Sequence, residues 1–160
     1  MNKLSVLLAV SAAVLHGVAY LLYNLRAHRR QSQPNLVSWF IWSFCAFLNA
    51  VTFMEMNQSW LSALQFFTGS AASIVTFFFI YKRSERRWPA WHEWLAIGVA
   101  LSAAYLWIQW HQSTQANLLL VFAVGVGFVP TIRGVWRDPC RETAFPWYLW
   151  TVAFLLTGVN

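Results

Sequence analysis

Residues 22–42 read LYNLRAHRRQSQPNLVSWFIW. The stretch leaves an apolar run at Leu25 and passes Arg26, Arg29 and Arg30. It breaks at Pro34 and enters a second apolar run at Leu36. Two apolar runs on either side of a short basic loop are the signature of consecutive membrane-crossing helices. The same junction recurs around Lys82, Arg83, Arg86 and Arg87, and again around Arg133, Arg137 and Arg141. Ten of the eleven basic residues fall in these three clusters, and the loops at 55–59 and 112–115 have none. Basic loops that alternate with uncharged ones give both the number of crossings and the orientation, because Lys and Arg stay on the cytoplasmic side. The expectation is an N-terminus outside and three basic loops in the cytoplasm. An integral protein of the plasma membrane (the bacterial inner membrane) fits this pattern.

Composition agrees. The chain is 59% hydrophobic and only 10% charged, too little charge to cover a water-facing surface, whereas lipid needs no such cover. The net charge of +6 does not point to nucleic acid, since the cations sit in loops and form no readable groove. Cys45 lies in an apolar run and Cys140 in a basic loop, so neither a metal pattern nor a disulfide is expected.

A crossing helix needs about 20 mostly apolar residues. The pattern predicts helices over 4–25, 35–54, 60–81, 91–110 and 117–136, and a sixth from Pro146. Lys3 and the apolar run behind it superficially resemble a secretory signal. The three arginines that follow reverse the signal-peptide charge bias, so the first helix is read as retained. The sixth stretch, about 15 residues or roughly 22 Å of helix, is short for a hydrocarbon core of roughly 30 Å. Either it ends inside the bilayer or the chain lacks its natural C-terminus, and the second is the expectation. Trp60, Trp88, Trp91, Trp107, Trp110 and Trp136 fall near predicted helix ends, where amphipathic rings anchor at the interface.

The opening stretch has a partner in the second half of the chain. Residues 130–150 read PTIRGVWRDPCRETAFPWYLW. Both stretches pass from a helix end through a basic, proline-containing loop into W-x-x-W, as Trp39/Trp42 and Trp147/Trp150. Aligned on these pairs, Arg29 falls on Arg137 and Ser38 on Pro146. Both stretches run in the same sense through the membrane, which makes them a parallel repeat. The fold class expected is an all-α polytopic helix bundle. Two parallel-repeat three-helix units, residues 1–87 and 113–160, flank a linker helix within 88–112, and the second unit lacks its last helix.

These residues resemble the PQ-loop superfamily, which includes the MtN3/saliva sugar transporters (SWEETs) and the half-size SemiSWEETs. Val129-Pro130-Thr131, the basic loop and the start of the next helix are similar to that family's Pro-Gln motif. Pro34-Asn35-Leu36-Val37-Ser38-Trp39 resembles bacterial members of unknown function. Thr131 stands where the motif has Gln, and Leu22-Tyr23 replaces the pair in the first repeat. The resemblance implies a small-solute transporter working by alternating access, and the lack of a convincing buried acid points to passive transport of a neutral solute, sugar-like or vitamin-like. The resemblance also implies amide side chains on the third helix of a unit facing the solute. The other reading is a non-transporting receptor, scaffold or subunit on the same fold.

Candidate site residues follow from the cost of polar groups in lipid. Asn49, Gln65 and Thr68 either line a solute pocket or bond between helices. Trp42 and Trp150, one turn inside their helices, either flank the solute or belong to the interfacial belt. Pro130 and Thr131 mark a hinge or a static kink. Pro146 is a further hinge or gate candidate, and Glu142, beside Arg141, makes either a loop ion pair or a cytoplasmic gate. His16 is either a proton-coupling group or a neutral histidine bonded to another helix. Gly69–Ser73 and Gly125/Gly127 read as close-packing patches. The five acids, Glu55, Glu85, Glu93, Asp138 and Glu142, sit at helix ends or loops, and no catalytic spacing joins them to a histidine. No enzyme, cofactor or metal is expected. The partners expected are the lipid bilayer and a small-molecule solute, with a homo-oligomer left open.

Overall fold

A computed structural model describes residues 3–83 and 88–158. The Arg86 and Arg87 part of the second basic cluster, Glu85 and the end of the expected first unit at residue 87 lie outside the described residues. Among those described, seven α-helices form: α1 Lys3–His28, α2 Leu36–Asn57, α3 Trp60–Tyr81, α4 Trp91–Trp110, α5 Ser113–Gly127, α6 Val129–Arg137 and α7 Ala144–Gly158. A single 3₁₀ turn, Pro139–Arg141, leads into α7, and no strand occurs among the described residues.

Local chemistry sets the ends. Pro34 ends the loop, and the Asn35 side chain caps α2 by accepting from the backbone N–H of Val37 (2.9 Å) and Ser38 (3.2 Å). Asn35 is thus the cap rather than the first helical residue. Glu93 accepts from the N–H of Ala90 at 2.7 Å and so fixes the start of α4. Gln58 and His111 close α2 and α4 in the left-handed conformation. The fifth predicted helix is split. Pro130 has no N–H to continue the ladder, and the Phe128 N–H bonds back to the Gly125 carbonyl at 3.1 Å, so the span divides into α5 and α6.

The helices pack in the lateral order α7, α1, α3, α2, α5, α4, with α4 also touching α2. Where they meet, the residues are small: Ala12, Ala19, Ala50, Ala63, Ala96, Ala103, Ala116, Ala123 and Ala153 are fully buried. Outside, large apolar side chains are exposed. On α1 these are Leu4, Leu7, Val14, Val18, Leu21 and Leu25, and similar faces run along α4, α5 and α7. Small residues inside and large apolar ones outside invert the arrangement of a water-soluble bundle, and they suit helices packed in lipid. Among the described residues four stretches are long and apolar enough to cross a membrane: α1, α2, residues 63–81 of α3, and α5 with α6 taken together. Each has 19 residues or more, which is sufficient for the hydrocarbon core. α7, at 15 residues, is a shorter apolar helix, and the His, Glu and Trp residues of α4 hold its hydropathy lower.

Away from the basic loops, Glu55 at the end of α2 ties three helices. It accepts from Trp107 Nε1 on α4 at 2.7 Å and from Ser113 Oγ at the start of α5. Trp107 is therefore a bonded packing residue, whereas Trp60, Trp88, Trp91, Trp110 and Trp136 at the other helix ends are exposed.

Candidate functional site: an aromatic cage between four helices

The tryptophans of the two W-x-x-W pairs do not point into an outer belt. They meet one another between α1, α2, the α5–α6 bend and α7. Ring centroids lie 5.3 Å apart for Trp39–Trp42, 4.9 Å for Trp147–Trp150, 6.2 Å for Trp39–Trp150 and 5.9 Å for Trp42–Trp147. Tyr20 on α1 and Phe128 at the bend complete the cage. Tyr20 lies 5.9 Å from Trp39 and 5.0 Å from Trp150, and Phe128 lies 5.8 Å from Trp147 and 4.7 Å from Trp42. The register that lays one W-x-x-W pair on the other carries Tyr20, Trp39 and Trp42 onto Phe128, Trp147 and Trp150. Every ring contact just given has a counterpart of similar length in that register. Tyr20–Trp39 at 5.9 Å answers to Phe128–Trp147 at 5.8 Å, and Trp39–Trp150 at 6.2 Å answers to Trp42–Trp147 at 5.9 Å.

The cage depends on close approach at Gly127. A Cβ there would lie 2.8 Å from Trp42 Nε1, and that indole donates to the Val124 carbonyl at 3.3 Å. Trp150 has no such arrangement: its Nε1 is buried without a partner among the described residues.

A polar chain leads from the cage to the basic loops. Trp39 Nε1 donates to the Tyr23 hydroxyl at 3.3 Å, and that hydroxyl donates to Glu142 Oε1 at 3.1 Å. Beside it Ser32 and Thr143 share a 3.1 Å hydrogen bond, and the Gln33 N–H donates to the Arg141 carbonyl at 2.9 Å. The first and last basic loops are thereby joined. Glu142 Oε2 is buried without a partner among the described residues. Burial pushes the Glu142 carboxyl up to about 6, against the opposing pull of the Tyr23 hydrogen bond and the positive charge of Arg141. Glu142 also lines a cleft of about 630 Å³ between α6 and α7, with Phe128, Thr131, Ile132, Trp136 and Tyr148.

The other expected site residues are placed as follows. His16 stacks on Tyr20 at 5.3 Å and meets Phe154 edge-on, and its Nδ1 is 2.9 Å from Gln65 Nε2. Gln65 is 1% exposed, so its amide reaches the cage only through His16 and Tyr20, and its Oε1 has no partner among the described residues. Gly69 makes room for this pair, since a Cβ there would lie 2.7 Å from His16 Nε2. Asn49 serves a different pair of helices: it accepts from Asn117 on α5, whose amide also reaches Thr52 at 3.2 Å. The cavity expected to hold Asn49 and Gln65 together is replaced by two separate interhelical bonds, because each amide finds its partner on the helix it packs against. Thr68 turns back to the Leu64 carbonyl at 2.9 Å. Pro130 is the second residue of α6, and Pro146 is buried near the start of α7. Cys45 and Cys140 are both free, the first buried and the second exposed. Among the described residues no three His, Cys, Asp or Glu side chains form a group that could hold a metal ion.

Sequence reasoning missed Tyr20, Tyr23 and Phe128. Tyr20 and Phe128 carried a signal: extending the repeat just upstream of Leu22 and Pro130 pairs an aromatic with an aromatic. Tyr23 had none, because its counterpart is Thr131.

In chemical terms the site is a packed aromatic cluster whose rings lie against one another, with Phe128 and Trp147 also lining the cleft between α6 and α7. It adds one buried indole donor without a partner among the described residues and a carboxyl that burial pushes up to about 6. Family models, curated proteins and solved structures alike provide no match to this chain.

Proposed function

We propose that this chain is a membrane transporter of a small neutral solute, sugar-like or vitamin-like, working passively by alternating access on a PQ-loop-like plan. The observation that carries the reading is the aromatic cage, whose contacts recur in the register of the repeat. Parallel repeats hold their solute at the interface between units, and the cage occupies the contact between α1–α2 and α5–α7. Helix packing supports the same plan. α1 packs on α7 and α2 packs on α5, which are equivalent contacts if α1 answers to α5–α6 and α2 to α7. α3 seats against Asn24, His28 and Phe40. Their repeat counterparts, Ile132, Trp136 and Tyr148, are exposed and line the cleft between α6 and α7, so the cleft matches α3's seat in the other unit.

On this plan the basic loops are cytoplasmic, the N-terminus is outside and the protein resides in the plasma membrane. The Tyr23–Glu142 bond and the Ser32–Thr143 pair close the cage toward the cytoplasm. The break at Phe128–Pro130 supplies the bend about which α6 can move relative to α5. A second reading, a non-transporting receptor, scaffold or subunit, draws on the two amides that are bonded between helices, since that role requires no solute to reach them.

The test is uptake into proteoliposomes from a panel of labelled neutral solutes. Trp42→Ala and Trp150→Ala should abolish uptake of whichever solute the wild type carries, and Trp110→Ala, exposed at a helix end, should not. A wild type that moves nothing in the panel, while the cage variants unfold at its temperature, would favour the receptor or scaffold reading.

A further inference from the structure

A second cleft, about 700 Å³, opens at the ends of α1 and α3 and the start of α2. Its chemistry is unlike that of the cage. Arg30, Arg83 and Arg141 line it, one from each basic cluster, and His28 joins them. No carboxylate is among the described residues lining it. Glu142, which the charge of Arg141 reaches, lies outside this lining, so the three guanidinium groups repel one another across the cleft unless an anion enters it.

Arg30 and Arg83 are exposed and Arg141 is half-buried, and two of the three have fixed neighbours. Arg83 lies 4.0 Å over the Phe79 ring, which itself lines the cleft. Arg141 runs close over Gly134, where a Cβ would come within 2.9 Å of its Cδ, and its carbonyl is held by Gln33. Arg30 takes the left-handed turn that ends α1, with φ 58°. Ser32 and Gln33 supply polar lining, and Pro34, Phe79 and Ile80 supply an apolar wall.

The geometry points to a binding site for a phosphate group, held by Arg30, Arg83 and Arg141 and separate from the solute cage. Guanidinium forks match phosphate oxygens, and the bonds are charge-assisted. The apolar wall, at the level of the helix ends, would accommodate the glycerol portion of an anionic phospholipid. A soluble phosphate offers the same recognition chemistry. Basic pockets between helices on the cytoplasmic side are suited to headgroups of this kind.

The experiment uses the whole chain in detergent, with lipid retention read by native mass spectrometry and thermal unfolding read in parallel. Phosphatidylglycerol should be retained in preference to phosphatidylcholine. Arg83→Gln and Arg141→Gln should each weaken that retention roughly tenfold, the loss of about one charge-assisted contact. Arg133→Gln, which removes the same charge outside the cleft, should leave retention unchanged. Arg83→Lys keeps the charge but loses the fork, and should fall between. Inorganic phosphate that raises the unfolding temperature of the wild type but not of Arg141→Gln, with no preference between the lipids, would assign the same site to a soluble phosphate. The proposal is overturned if Arg133→Gln weakens retention as much as the cleft variants do, which is diffuse attraction to a basic face. It is also overturned if neither lipid nor phosphate distinguishes wild type from Arg141→Gln.

Discussion

Gly127→Ala is the smallest change that probes the cage. The added methyl would sit 2.8 Å from Trp42 Nε1, 3.3 Å from Trp42 Cδ1 and 3.5 Å from Ile41 Cγ2. An indole cannot yield as the end of a lysine would, because it is wedged among Trp39, Trp147 and Phe128. Overpacking of this kind costs about 1–3 kcal/mol. Moving the ring also stretches its bond to the Val124 carbonyl, worth about 0.6 kcal/mol between membrane helices. Replacing Gly by Ala in a helix returns about 0.5–1 kcal/mol. The net expectation is a loss of roughly 2 kcal/mol in unfolding free energy. The control is a near neighbour: a Cβ at Gly125 meets nothing within 4 Å, so Gly125→Ala should be neutral or slightly stabilising. Both can be measured by equilibrium unfolding in mixed micelles, followed by tryptophan fluorescence. Adding Trp42→Phe, which has no Nε1, should recover most of the Gly127→Ala loss, so the pair couples strongly in a double-mutant cycle. Equal stability of the two alanine variants, or additive effects of Gly127→Ala and Trp42→Phe, would refute the close approach on which the cage rests.

Other changes reach other parts of the same path. Gly69→Ala should destabilise by about 1–3 kcal/mol, because its Cβ lands 2.7 Å from His16 Nε2 and pushes the ring off Gln65, whereas Gly98→Ala, with open space around it, should not; thermal unfolding separates them. Glu142 binds its proton more tightly folded than unfolded, since burial raises its carboxyl from 4.5 to about 6. Stability should therefore fall by roughly 2 kcal/mol as pH rises from about 4 to about 7, then level off, and Glu142→Gln should flatten that profile in pH-dependent unfolding. For orientation, a cysteine at Gln58 should react with an impermeant thiol reagent in intact cells and one at Gln31 should not. The reverse labelling would overturn the N-outside arrangement.

Much of the fold was legible because lipid leaves few choices. Apolar runs of about 20 residues between basic and uncharged loops must be helices, and Pro34 marked the break between the first two. The break of α5 from α6 was half visible. Pro130 predicted a kink, but nothing in the sequence showed that Phe128 would bond back to Gly125 and end the helix there. Of the expected site residues, Trp42 and Trp150 come together because their spacing in W-x-x-W fixes both their turn and their face. Asn49 and Gln65 were not resolvable in that way. A buried amide needs a partner, but its identity depends on which helices are neighbours, and loop charge does not encode lateral order. α3 lies between α1 and α2, so Gln65 meets His16, and α5 lies against α2, so Asn49 meets Asn117.

The two halves of the cage match in their rings and differ in their hydrogen bonds, and under the proposed function that difference would give a solute a direction. Trp42 Nε1 reaches the Val124 carbonyl because Gly127 leaves room. The equivalent bond in the other half would run from Trp150 to the carbonyl of His16, the residue that the repeat register sets opposite Val124. There Ala19, fully buried in the same cluster as Trp150, stands in place of Gly127. Trp150 is left with a buried, unpaired N–H, a cost of about 1–3 kcal/mol when nothing accepts from it. A solute that places a hydroxyl or carbonyl oxygen there recovers that cost, and one that presents only CH groups does not. Trp150→Phe keeps the aromatic wall and removes the donor. It should weaken binding of an oxygen-bearing solute while sparing an apolar analogue of the same shape, as read by quenching of the remaining tryptophans. Trp42→Phe, whose donor is already satisfied within the protein, should not discriminate between the two. If both variants lose both ligands equally, the cage recognises shape alone and the asymmetry at Ala19 and Gly127 is only a matter of packing.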